Sequence, residues 1–460
     1  MTSAIDLKKY FQSNRKALVE KFRELLAFQT VSALPSSKSE LKSCAKWLEK
    51  YLKALGGKVE VWGGKGAPIV FANFPSPNKN APTVLIYNHY DVQPVDPLEE
   101  WAHPPFEAAL EGDTVFARGA QDNKGQCLFV LIALEAMKGS LPCSVKVLIE
   151  GEEENGSSLL SAIAKEKAAQ LRADYTMILD VGMRTNTTPA ITLGRRGLTS
   201  LTHTVRGPNQ DLHSGLYGGV AQNPLHALVS MLSSLRNPDG SIAVPGFYDE
   251  VKMPSTEETS LLSLDFDERT WEKEFGQSPS GGESSFPPAV RNWLRPTLEI
   301  NGIHGGYGGE GTKTVIPREA SAKISCRLVP HQDPATIAKR VNSFLLKSTP
   351  QGITTDVTIH EGMGKATRTS ASSLAVKALF NAMESVWNKK PEFILDGASI
   401  PISPLLEEVS GGELVMWGLG LPSDRIHAPN EHFSLDRIEK GFLTLCLTLQ
   451  QLGKTKAHTK

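Results

Sequence analysis

A chain of 460 residues with 40% hydrophobic and 22% charged side chains has an ordinary globular composition but is long for one core, so two domains or a large insertion are expected. A formal net charge of −1 gives no bulk electrostatic reason to bind nucleic acid or an anionic membrane. No segment has the apolar length of a signal peptide or a membrane span, and the five scattered cysteines, Cys44, Cys127, Cys143, Cys326 and Cys446, read as buried free thiols of a reducing compartment, the cytoplasm.

Helical apolar spacing runs over residues 7–27 and 38–55 and stops at Gly56-Gly57. β patterns follow at 58–62 and 69–74, and Thr83-Val84-Leu85-Ile86-Tyr87 is a nearly unbroken apolar strand of the kind found in a sheet covered on both faces. A helix at 124–137 and strands at 144–149 and 175–179 complete an α/β alternation with a mostly parallel central sheet covered by helices. After about Pro189 the pattern changes. Alternating strands at 198–205 and 321–329, amphipathic helices at 225–235 and 335–346, and a strand at 354–359 give the β-α-β-β-α-β order of an α+β, ferredoxin-like domain. The Pro-, Ser- and Gly-rich stretch 237–311 reads as a loop-rich insertion in it. Beyond Ser370 the covered α/β pattern returns with a helix at 373–387, a strand at 414–418 and a helix at 435–452. The expected plan is one domain of residues 1–188 and 369–460, interrupted by a second over 189–368.

Chemistry collects at the ends of the apolar strands. Strand 83–87 runs into His89-Tyr90-Asp91, and strand 144–149 into Glu150-Gly151-Glu152-Glu153-Glu154, where clustered carboxylates need protons or a cation. Strand 175–179 runs into Asp180, while Asp122 opens helix 124–137. Taken singly, His89 could be a hydrogen-bonded core histidine and Asp122 a helix N-cap. Taken together, they converge on the carboxyl edge of an α/β sheet, where ligand sites form. His427 sits in a loop that reaches the same edge. Counting His89, Asp122, Glu154, Asp180 and His427 gives two imidazoles and three carboxylates, more than one tetrahedral zinc needs and suited to two ions sharing a bridging carboxylate.

The motifs His89-x-Asp91, Gly119-x-x-Asp122-x-Lys124-Gly125, Glu150-Gly151-x-Glu153-Glu154-x-Gly156-Ser157, Asp180 and His427-x-x-Asn430-Glu431 together resemble the co-catalytic zinc amidohydrolases. That family includes carnosinase and other cytosolic dipeptidases, aminoacylase, acetylornithine deacetylase and succinyl-diaminopimelate desuccinylase. The resemblance implies a zinc-peptidase-like catalytic domain with an inserted lid that makes a homodimer. It implies that His89 and Asp180 bind one zinc (manganese or cobalt being alternatives), Glu154 and His427 the other, and that Asp122 bridges them. Asp91 would orient His89 through the second ring nitrogen, and Glu153 would be the general base toward the activated water. Asp211-Leu212-His213-Ser214-Gly215 resembles the lid motif whose histidine serves the partner subunit's site. Arg327 would clamp a substrate carboxylate, and Gly397-Ala398-Ser399 resembles the substrate loop, with Ala398 in place of a usual glycine. The long lid, Pro245-Gly246-Phe247-Tyr248-Asp249 and His89-Tyr90-Asp91-Val92-Gln93-Pro94 resemble the dipeptidase branch, so a small peptide is the expected substrate. An N-acyl-amino-acid deacylase on the same scaffold is the alternative.

Overall fold

The computed structural model describes residues 4–360 and 362–457. Two compact units result: Met1–Leu193 with Thr369–Ile394 and Leu405–Lys460, and Gly194–Arg368 with Leu395–Pro404.

In the first unit the central strands Ser144–Glu150, Thr83–His89, Tyr175–Ile178 and Glu413–Met416 lie side by side and parallel. The antiparallel strands Ile69–Phe74 and Lys58–Trp62 extend one edge, and Ala190–Arg195 lies beside Glu413–Met416 at the other. Strand Thr83–His89 is buried from Val84 onward, as its unbroken apolar run requires of a strand covered on both faces. Helix Lys124–Ala136 is buried through Leu134, and it packs against helices Ala4–Ala27 and Leu435–Leu452. The approach is close: a Cβ at Gly441 would stand 2.5 Å from the Phe129 ring, which stacks on Trp417 with centroids 5.5 Å apart. A small sheet of His432–Ser434, Thr114–Phe116 and Ala109–Glu111 joins the segment before the last helix to the segment before helix Lys124–Ala136.

The second unit holds the antiparallel sheet Thr297–Gly305, Glu319–Leu328, Gly197–Arg206 and Thr354–Ile359, in that order. With helices Pro224–Ser233 and Pro334–Lys347 this is the β-α-β-β-α-β arrangement expected from the sequence. Each helix starts at a polar cap followed by proline: the Asn223 side chain accepts from the Leu225 amide and Asp333 from the Thr336 amide. Both helices share a core with the sheet through Leu228, Leu232, Ile337, Val341 and Ile324. The 237–311 stretch is less irregular than its composition suggests. It contains helices Thr256–Leu261, Glu268–Phe275 and Pro288–Trp293, and strand Thr297–Gly305 belongs to the sheet itself. That strand shows no alternation because Glu299 to His304 are all exposed, which removes the period-two signal.

Candidate metal centre

Strand Thr83–His89 lies between its two parallel neighbours in register, with Tyr87 opposite Leu148 and Ile178. The three strands therefore end together, and their C-terminal extensions meet at one edge of the sheet. His89 ends the middle strand, Glu150 its neighbour, and Asp180 follows Tyr175–Ile178 after one more residue. A turn of 3-10 helix, Glu153–Asn155, stands next to Glu150. Asp91 holds that turn: its Oδ1 accepts from the Glu153 amide and its Oδ2 from the Glu154 amide, both at 3.1 Å. Asp122 precedes helix Lys124–Ala136, whose second residue must be glycine, since a Cβ at Gly125 would stand 2.1 Å from the Ala120 carbonyl oxygen. The Asp122–Asn123 peptide is cis.

The side chains form two groups whose potential ligand atoms lie within 4.8 Å of one another: His89, Glu153 and Asp180, and Asp122, Glu154 and His427. Asp122 faces both. Its Oδ1 is 3.1 Å from His89 Nε2, and its Oδ2 is 3.0 Å from His427 Nε2. His89 Nε2 is also 3.6 Å from Asp180 Oδ1, and His427 Nε2 is 3.3 Å from Glu154 Oε1. On its other side His89 Nδ1 is 3.0 Å from the Asp91 carbonyl oxygen and 3.4 Å from its carboxylate. His89 Nδ1 thus faces both the main chain and the carboxylate of Asp91, and the same carboxylate holds the glutamate turn. Gln93 donates to Glu154 Oε2 at 2.7 Å, and Asn123 donates to Asp180 Oδ1 at 2.9 Å.

The electrostatics are those of crowded charge in a sheltered place. Burial pushes the Glu153 carboxyl up to about 9, with His89 opposing and Asp180 and Glu154 adding to the rise. Burial likewise raises Glu154, against a bond from His427. It would raise Asp122 too, but the bonds from His427 and His89 hold that carboxyl below the usual range. Bonds to Asp122 and Glu154 lift His427 to about 10. Burial opposes the charged form of His89, and its bonds to Asp122, Asp180 and Asp91 outweigh that and raise it. The chain alone thus balances its carboxylates with imidazolium protons, a place that divalent cations can take. The donors fit such ions: carboxylate oxygens and imidazole nitrogens in two groups, and a buried Glu154 Oε1 that finds no well-aligned hydrogen-bond donor among the described residues, His427 Nε2 standing 3.3 Å away.

The second unit carries the remaining residues singled out from sequence. His213 is exposed; its Nδ1 accepts from the Gly215 amide at 3.0 Å, and its Nε2 is 3.4 Å from Thr314 Oγ1. Arg327 donates from Nη1 to Ser399 Oγ at 2.8 Å, and Ser399 Oγ donates to the Arg196 carbonyl at 2.5 Å. Arg196 carries no motif and sequence reasoning misses it. It is buried, donates from Nε to the Gly397 carbonyl at 2.9 Å, and contacts Asn292 Oδ1 at 3.2 Å. Gln93, Asn123 and Glu431 stand inside the sequence motifs without roles assigned to them, and that position is their one available signal.

Residues 85–451 match the model of Peptidase family M20/M25/M40. The chain is 31% identical over 396 residues to the Cys-Gly metallodipeptidase of Schizosaccharomyces pombe, covering 84% of this chain and 83% of the relative. It is 30% identical over 448 residues to the Beta-Ala-His dipeptidase of Homo sapiens, covering 92% and 87%. Among solved structures, an M20 family metallo-carboxypeptidase from Sulfolobus solfataricus superposes with a TM-score of 0.85 at 31% identity, over 95% of this chain and 99% of the other.

Proposed function

The chain belongs to Peptidase family M20/M25/M40, and we propose that it is a two-metal dipeptidase that hydrolyses the amide bond of unblocked dipeptides or short peptides. The observation that carries this reading is Asp122, which offers one carboxylate oxygen to each imidazole at 3.1 and 3.0 Å. That is what a carboxylate shared by two ions requires. In this reading His89 and Asp180 hold one ion and Glu154 and His427 the other, with zinc in both places and manganese or cobalt as substitutes. The dipeptidase names of the relatives support the substrate class.

When bound, two divalent ions supply Lewis acidity, polarising the scissile carbonyl and bringing the pKa of an attacking water toward about 7. Glu153 takes the proton of that water on its carboxylate and returns one to the nitrogen of the departing amine. A carboxyl that burial pushes up to about 9 holds its proton at neutral pH, so Glu153 becomes a base only beside added positive charge. Asp91 keeps Glu153 and Glu154 on one turn. His213 accepts at Nδ1 from Gly215, which leaves Nε2 carrying the proton. It is thereby suited to donate to an oxyanion, the histidine of one copy serving the other copy's site. Arg327, tethered by Ser399, is the anchor for the substrate's carboxylate.

Dimerisation through the second unit is supported by strand Thr297–Gly305, which lies at an edge of its sheet. Ile300, Ile303 and Val229 stand exposed there and line one shared depression. Five buried free cysteines support a reducing compartment such as the cytoplasm. The activity is tested by giving zinc-loaded protein unblocked dipeptides beside N-acetyl and N-succinyl amino acids. Preferential cleavage of the dipeptides is expected, and preference for the acylated amino acids would transfer the chain to the deacylases.

A further inference from the structure

Glu431 belongs to neither ligand group, yet it is fully buried and four residues beyond His427. Its carboxylate accepts four N–H groups. Oε1 takes the amides of Gln121 and Asp122, both at 3.0 Å. Oε2 takes the Gly119 amide at 3.0 Å and Arg118 Nη1 at 2.8 Å. Its carbonyl accepts from the Ala117 amide at 3.0 Å. The segment from Ala117 to Asp122 thus wraps around one side chain from a loop some 300 residues away in sequence. All four carboxylate partners donate, which favours the anion against the burial that raises this carboxyl. Successive amides turned toward one anion form a backbone nest.

Arg118 is buried as well, and its Nη2 donates to the Pro94 carbonyl at 2.9 Å. A buried ion pair of this kind contributes little net stability compared with apolar side chains of the same volume. What is fixed here is the distance between two ligands. Asp122 is held through its own amide. His427 is half exposed, at φ +59°, in a loop where Asn430 also has positive φ. That loop is tied down just beyond His427, by Asn430 to the Ala102 amide and the Glu100 carbonyl, and by Glu431.

We propose that Glu431 is a positioning residue for the group Asp122, Glu154 and His427. By holding the Asp122 amide and the His427 loop on one carboxylate, it sets the spacing of those two ligands and hence the affinity of that group for a divalent cation. The inference rests on the two-metal reading above. Its test is a zinc titration of the metal-free full-length chain against a chromophoric chelator, with thermal unfolding of the metal-free protein to verify the fold. Wild type binds two ions per chain; a smaller number overturns the two-metal reading and this inference with it. Glu431→Gln binds the ion of the group Asp122, Glu154 and His427 about 10–100-fold more weakly, and the ion at His89 and Asp180, which shares only Asp122 with it, by a smaller factor. Glu431→Asp keeps the charge opposite Arg118 but is one methylene shorter, and it gives a smaller loss at the same ion. If Glu431→Gln does not fold, Glu431→Asp carries the test. Wild-type affinity for both ions in a folded variant, or equal weakening of both, overturns the inference.

Discussion

Glu153 and Glu154 are neighbours in the chain yet fall into different ligand groups, because the short turn Glu153–Asn155 directs consecutive side chains apart. This gives the base assignment a sharp consequence. Glu153→Gln preserves the shape of the side chain and removes the proton acceptor, so turnover should fall by roughly 10²–10⁴-fold while zinc content stays at the wild-type level. Steady-state kinetics with metal analysis checks both. Loss of an ion would make Glu153 a ligand, and retained turnover would remove it from the reaction. The gathering of His89, Asp122, Glu153, Glu154, Asp180 and His427 was legible in the sequence because each follows or precedes an apolar element whose end it marks. Gln93, Asn123 and Glu431 were not legible as supports. A side chain that works by holding an amide or a second carboxylate leaves no period or spacing in the sequence, and it shows itself only when distant segments meet.

Elements are most legible in the sequence where burial imposes a pattern. Strand Thr83–His89 and helix Lys124–Ala136 are buried nearly throughout, and their apolar runs identify them. Strand Thr297–Gly305, exposed along most of its length, hides in a stretch whose composition reads as loops. Strand Gly197–Arg206 alternates cleanly, and His203 lies on its buried face. Its ring is 3.0 Å from Thr355 Oγ1, and burial depresses its pKa to about 4, with Asp356 opposing. In the folded chain this imidazole stays neutral down to about pH 4, whereas in the unfolded chain it takes a proton below about pH 6.5. The unfolded state therefore binds more protons in that window, and stability falls as pH drops through it. His203→Gln cannot titrate. Between pH 7.5 and pH 5 its Tm should fall less than that of wild type, by a few degrees. Equal falls in thermal melts would mean that His203 titrates normally.

At the scale of the molecule, two units with separate cores are joined by a chain that leaves the first unit after Leu193 and returns at Thr369, and that lends Leu395–Pro404 to the second. The change from covered parallel strands to alternating ones announces the second unit. The loan of a ten-residue segment has no such signal, because its buried Leu395, Ile400 and Ile402 follow no helix or strand period and Ser399 contributes through a hydrogen bond to Arg327. If copies associate along strand Thr297–Gly305, Ile303→Asp places charge in the contact and should yield monomers by sedimentation velocity where wild type sediments as a dimer. Wild-type monomers, or an unaffected dimer, would move the interface elsewhere. Above the assembly question stands the proposed reaction itself, hydrolysis of an unblocked dipeptide by two ions held around Asp122. It is tested most directly by dipeptide turnover as zinc is returned to the metal-stripped chain, with bound zinc counted at each step. No turnover is expected without metal, and full turnover at two ions per chain. Turnover by the metal-free protein, or saturation at a single ion, would contradict the two-metal assignment.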